Sequence, residues 1–134
     1  MSEFGFIGLG RMGQSMAINM SKKGFGLAVF DIREDAMKPF TQFNNCRQAM
    51  SANDTIGSGA NIITVLPGPA EVESVVLAKG GLLDEMKEGS VLMDLSTVLP
   101  ETTDKLAKAA KKRGCHFVDA PIGRLAQHAD SGES

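Results

Sequence analysis

Two hydrophobic periods alternate along this chain. Short, mainly apolar runs at residues 4–7, 27–31, 60–66, 90–95 and 115–119 read as strands, that at 60–66 rich in β-branched residues, as expected of a parallel sheet covered on both faces. Between them, apolar residues recur at three- and four-residue spacing, the mark of helices with one buried stripe. The stripes are Met12, Met16, Ala17 and Met20; Ala36, Met37 and Phe40; Val72, Val75 and Val76; and Leu106, Ala107 and Ala110. Lys22-Lys23-Gly24 closes the first helix, and Lys111-Lys112-Arg113 before Gly114 closes the last, cations and glycine both favouring a helix C-terminus. Pro100 suits the first position of that last helix and Glu101 its dipole. Pro39 predicts a break inside the helix over 34–43. Residues 44–47 read as a short third strand or an extended connection, 48–56 as a small helix ended by Gly57-Ser58-Gly59, and 82–86 as a helical piece after Gly80-Gly81. Alternating strands and helices predict an α/β fold, a Rossmann-like doubly wound parallel sheet with helices on both faces, over residues 1–125. Residues 126–134 form a polar tail without an apolar stripe, expected to be poorly ordered.

The 28 residues from Phe4 to Asp31 carry more than a fold. A strand runs directly into Gly8-Leu9-Gly10-Arg11-Met12-Gly13, a helix follows, and the next strand ends on Asp31, 18 residues after Gly13. In a G-x-G-x-x-G turn of this kind Gly8 permits the tight strand-to-helix turn, Gly10 lets a pyrophosphate approach the backbone, and Gly13 lets the helix lie close on the sheet. The free N–H groups at the helix start then favour phosphates, and Asp31 would accept hydrogen bonds from ribose hydroxyls. A lone glycine motif also marks ordinary turns. The whole strand–glycine–helix–strand–acid unit favours a dinucleotide, with a nucleotide-free βαβ unit as the bland reading.

Composition narrows the rest. A chain of 134 residues reads as one domain that buries roughly two-thirds of its unfolded surface. Lys and Arg number 14 against 16 Asp and Glu, a net charge of −2, which implies neither a nucleic-acid groove nor a membrane surface. Cys46 and Cys115 follow no metal or redox spacing, and Cys115 reads as a buried small hydrophobe inside a strand. No apolar run reaches the length of a membrane span, and the first strand begins almost at Met1, leaving no room for a signal peptide. A cytoplasmic location and no metal are expected.

Ligands of open α/β sheets sit beyond the carboxyl ends of the strands. Residues 8–13, 31–33, 66–69, 96–97 and 120–124 meet there. Phe6-Ile7-Gly8-Leu9-Gly10-Arg11-Met12-Gly13, Thr64-Val65-Leu66-Pro67, Asp94-Leu95-Ser96-Thr97 and Asp119-Ala120-Pro121-Ile122, in this order, resemble the β-hydroxyacid dehydrogenases. That family includes 3-hydroxyisobutyrate dehydrogenase, tartronate semialdehyde reductase and, more distantly, 6-phosphogluconate dehydrogenase. The resemblance covers nearly the whole chain. It implies that Gly8, Leu9, Gly10, Arg11, Met12 and Gly13 hold the pyrophosphate and that Leu66 and Pro67 line the adenosine-side ribose. It also places Glu71 at a further cofactor contact and Thr97 near the nicotinamide ribose. Spacing alone allows Leu66-Pro67 to be only a strand terminator and Ser96 and Thr97 to be only caps, although Leu99 takes the usual cap position before Pro100. Asp31 favours NAD over NADP, because a carboxylate binds a free 2′-hydroxyl and repels a 2′-phosphate. Arg33 stands near that rim, able to meet a phosphate, to stack near the adenine or to sit in solvent.

The last motif departs from the family's usual pattern. Where most relatives carry Ser-Gly-Gly, this chain has Gly123-Arg124, which looks like the sulfolactaldehyde reductase and 4-hydroxybutyrate dehydrogenase branch. Ser96, Gly123 and Arg124 are then the expected substrate contacts, the Arg124 fork suiting a sulfonate or carboxylate, unless Arg124 is a solvated surface residue. The resemblance implies a catalytic lysine in a helical C-terminal domain, several tens of residues beyond this motif. The chain ends 15 residues after Asp119, and neither Lys111-Lys112 nor His116 or His128 fits that role. The expectation is a cofactor-binding domain of a longer, homo-oligomeric dehydrogenase for a small anionic hydroxyacid or semialdehyde, inactive by itself. A catalytically silent NAD-binding sensor or interaction module is the alternative.

Overall fold

Six short strands run parallel in one sheet, in the order β3-β2-β1-β4-β5-β6. The computed structural model describes residues 3–57 and 61–120. In chain order the strands are β1 (Glu3–Ile7), β2 (Gly26–Phe30), β3 (Cys46–Gln48), β4 (Asn61–Thr64), β5 (Val91–Asp94) and β6 (His116–Asp119). Helix α1 (Arg11–Lys22) joins β1 to β2, and a 3₁₀ segment (Glu34–Gln42) joins β2 to β3. The chain then passes through a 3₁₀ turn (Asn53–Thr55) to β4, on the other side of β1. The short helix α2 (Pro69–Val72), which widens into a π turn (Glu73–Leu77), α3 (Leu82–Glu85) and α4 (Pro100–Lys112) complete the crossovers. This is the strand order of the dinucleotide-binding folds, and its direction reverses between β1 and β4.

The two faces of the sheet bury separate cores. On one, Ile7, Ile62 and Leu92 pack with Val72, Val76 and Leu82 and with Leu106 and Ala110 of α4. On the other, Phe6, Leu27, Val29 and Ile63 pack with Leu9, Ala17 of α1, and Met37 and Phe40 of the 3₁₀ segment. Every strand but the edges is therefore apolar on both sides, which is why the runs read as continuous. The register pairs Ile7 with Phe30, Ile7 with Thr64, Thr64 with Asp94, and Asp94 with Asp119, so the strands end level along one carboxyl edge.

Several local expectations are corrected. Residues 34–42 wind as a 3₁₀ segment, which accommodates Pro39 inside it. Gln48 belongs to β3, and the helix expected over 48–56 shrinks to Asn53–Thr55. Ala107 is exposed. The buried stripe of α4 is Thr102, Leu106 and Ala110, four residues apart, and Ala107 stands one position off it. Cys115 lies just before β6, not inside it, buried in the core with Leu92, Leu106 and Ala110, and burial pushes its thiol pKa up. Ala60, Gly123, Arg124 and the polar tail lie outside the described residues.

Candidate functional site

The turn after β1 is shaped by contacts that only glycine tolerates. Gly8 adopts φ +102, and a Cβ there would run into the carbonyl oxygen of Val65; a Cβ on Gly13 would run into that of Gly8. These two glycines let α1 lie against the β1–β4 seam. Gly10 differs. Its φ is −65 and its ψ −176, conformations open to any residue, and a Cβ there meets nothing within 4 Å. The protein itself gives Gly10 no reason to lack a side chain. The open space beside it lies at the first turn of α1, whose N-cap offers no side-chain acceptor and whose first turn carries no acid. First-turn N–H groups, which an α-helix leaves without intrahelical partners, and a bare backbone form a cradle suited to a phosphate.

Asp31 leaves β2 on the same edge. Its Oδ2 accepts the Leu9 N–H at 2.8 Å and its Oδ1 the Arg33 N–H at 2.9 Å. The carboxylate is thereby clamped between the glycine turn and its own loop. An ionised carboxylate offers about four acceptor sites, so two remain for hydroxyl donors. The Arg33 guanidinium stands 3.5 Å from Oδ1, with its side chain 61% exposed, an ion pair of small energetic weight.

Between these elements opens a cleft of about 560 Å³. Gly8, Gly10, Arg11, Met12 and Gly13 form one side, Asp31 and Arg33 the rim, and Leu66, Pro67 and Glu71 the opposite wall. Ile7, Phe30 and Val65 floor it; Ile32, within the 31–33 segment expected at this edge, and Val75, read from the sequence as part of a buried stripe, add apolar surface. Val75 stands four residues after Glu71, on the same helical side. Leu9 is not in the lining; it is buried in the core and contributes its N–H to Asp31. Ser96 and Thr97 are also outside the lining. Ser96 is buried, its hydroxyl oxygen accepting the Leu66 N–H at 2.7 Å, while Thr97 is exposed. Neither caps α4, whose N-cap is Leu99. Among the described residues no three His, Cys, Asp or Glu side chains could hold a metal, and no helix is long and apolar enough to cross a membrane.

Residues 3–134 match the model of the NAD binding domain of 6-phosphogluconate dehydrogenase. The chain is 38% identical over 131 residues to 2-(hydroxymethyl)glutarate dehydrogenase of Eubacterium barkeri, covering 97% of this chain and 43% of that protein. It is 38% identical over 128 residues to the mitochondrial 3-hydroxyisobutyrate dehydrogenase of Rattus norvegicus, covering 96% and 38%. The solved structure of Psf3 in complex with NADP+ and 2-OPP superimposes with a TM-score of 0.90 at 25% identity, over 96% of this chain and 45% of that one. The chain thus spans less than half the length of these relatives. Their shared fold, the matching family model and the glycine-cradled cleft lead to one assignment: the chain belongs to the family of the 6-phosphogluconate dehydrogenase NAD binding domain, in the company of the 3-hydroxyisobutyrate dehydrogenase-like enzymes.

Proposed function

We propose that this chain is the cofactor-binding part of an oxidoreductase for a small anionic β-hydroxyacid or semialdehyde, and that it takes NAD in preference to NADP. The observation that carries the cofactor reading is the pairing of an open cradle at Gly10 with a clamped carboxylate at Asp31 on one cleft. The N–H groups at Arg11, Met12 and Gly13 would receive the pyrophosphate. Asp31 would accept from the ribose hydroxyls and repel a 2′-phosphate. Leu66 and Pro67 would bound the ribose from the other side, with Glu71 beside them and Thr97 toward the nicotinamide ribose. The bound dinucleotide supplies hydride transfer. This chain's own residues bind and orient it.

The substrate side is read from chemistry. The E. barkeri and rat relatives are named for acids that carry a hydroxyl group. Gly123-Arg124 would follow the β6 end, where an arginine fork offers bidentate recognition of a carboxylate or sulfonate. The enclosed hydroxyl of Ser96 serves the wall and leaves that recognition to Gly123 and Arg124.

Titration with NADH and NADPH tests the cofactor reading. NADH should bind the more tightly, and Asp31→Ala should weaken NADH by about 10–100-fold, the scale of one charge-assisted hydrogen bond, while narrowing the gap to NADPH. A preference for NADPH in the unaltered chain would refute it.

A further inference from the structure

Beneath the Leu66 wall lies a polar cluster that the cleft itself does not explain. Thr64, Asp94 and Ser96 are 0%, 1% and 2% exposed. Thr64 and Asp94 are register partners at the level ends of β4 and β5. Asp94 Oδ1 accepts the Thr64 hydroxyl at 2.8 Å and the Ser96 N–H at 3.2 Å. The Ser96 hydroxyl oxygen accepts the Leu66 N–H at 2.7 Å. The Asp94 carbonyl receives the Ala120 N–H at 3.1 Å, so the same residue also ties the exit of β6. Oδ2 of Asp94 is enclosed and has no hydrogen-bond partner among the described residues.

Two features mark this cluster as more than strand-end packing. Enclosing a carboxylate at a strand end costs desolvation, and the bonds that offset it run to Thr64 and to the Ser96 N–H of the segment beyond the strand. The sheet ladder also stops short of the wall. Val65 still donates its N–H to Ile7 at 2.8 Å, but the next N–H, that of Leu66, is held by Ser96 rather than by a strand.

We propose that Asp94 is a positioning residue for dinucleotide binding: with Thr64 and Ser96 it forms a buried relay that fixes the Leu66 backbone, and with it the cleft wall opposite Asp31. The inference rests on the dinucleotide reading above and deepens it. Asp94 anchors Ser96, and Ser96 anchors Leu66. The links lie in series, so breaking either one frees the same wall.

The test is NADH titration of the unaltered chain, Ser96→Ala, Asp94→Ala, the double variant and Asp94→Asn, at a temperature where melting curves without ligand show each to be folded. Ser96→Ala should weaken NADH about three- to tenfold and Asp94→Ala about tenfold, the effect of one lost hydrogen bond on a binding wall. The double variant should be no weaker than Asp94→Ala alone, because the links act in series. Asp94→Asn keeps the acceptor at Oδ1 and should bind within about threefold of the unaltered chain. A purely structural role would lower melting temperatures and leave the dissociation constants of the folded variants alike. Should Asp94→Ala fail to fold, Ser96→Ala carries the test, since it removes only a hydroxyl. Binding by Ser96→Ala within twofold of the unaltered chain, or additive losses in the double variant, would overturn the relay. Absence of NADH saturation in the unaltered chain would instead overturn the dinucleotide reading, and the relay with it.

Discussion

Gly10→Ala separates what the fold requires of the glycine turn from what a ligand requires. At Gly10 the backbone already has φ −65, and the added methyl meets nothing within 4 Å. Reduced freedom of the unfolded chain should stabilise the variant by about 0.4–1 kcal/mol. Alanine is a poorer N-cap than glycine, at a cost of about 0.5–1 kcal/mol. The two terms nearly cancel, and the melting temperature should move by no more than about 2 °C. Binding behaves differently. A methyl in front of the α1 N-terminus keeps a phosphate from at least one charge-assisted N–H bond, worth about 1.5–3 kcal/mol, which is about a 10- to 150-fold loss of NADH affinity. Gly8→Ala supplies the contrast: with φ +102 and the Val65 oxygen in the way, it should lower stability by well over about 1–2 kcal/mol. Calorimetric titration and a melting curve of each variant decide the matter. NADH affinity unchanged in Gly10→Ala, or a fall in its melting temperature above about 5 °C, would refute the cradle.

Two further outcomes test the scaffold. Leu92→Ala removes a fully buried side chain from the core shared by Ile62, Val76 and Leu106, and urea unfolding should show a loss of about 2–5 kcal/mol. Asp54 accepts the Met50 N–H at 2.8 Å and faces Arg47, and that N–H, with the guanidinium beside it, holds its carboxyl pKa below the usual value. A lowered folded pKa gives stability that is present above the unfolded value near about 4 and is lost as pH falls through the folded one. The urea midpoint of Asp54→Asn should therefore fall less between pH 7 and pH 2.5 than that of the unaltered chain.

The βαβ unit was legible because its signals are local. A strand, three spaced glycines and a terminal acid each act on their own neighbours, so Gly8, Gly13 and Asp31 stand where the pattern puts them. The doubly wound sheet was legible for the same reason: neighbouring residues Phe6 and Ile7 of β1, and Ile62 and Ile63 of β4, bury their side chains in opposite cores. What escaped was decided by tertiary contact. Ala107 reads as part of a stripe, yet the pitch of α4 aims Thr102 and Leu106 inward. Ser96 reads as a cap or a ligand contact until the Leu66 N–H and the Asp94 carboxylate close around it. Ile7, Phe30 and Val65 were core residues by pattern; only the level ends of β1, β2 and β4 reveal that they also floor a cleft.

The central claim is that one cleft, between the Gly8–Gly13 turn, Asp31 and Leu66, receives a nicotinamide dinucleotide. Backbone amide shifts recorded by NMR during titration of the 134-residue chain with NADH test it most directly. The account predicts saturable shifts concentrated at Gly10, Arg11, Met12, Gly13, Asp31 and Leu66, with the β3 edge and the C-terminal half of α4 unmoved. Shifts centred elsewhere on the sheet, or none at millimolar NADH, would contradict it.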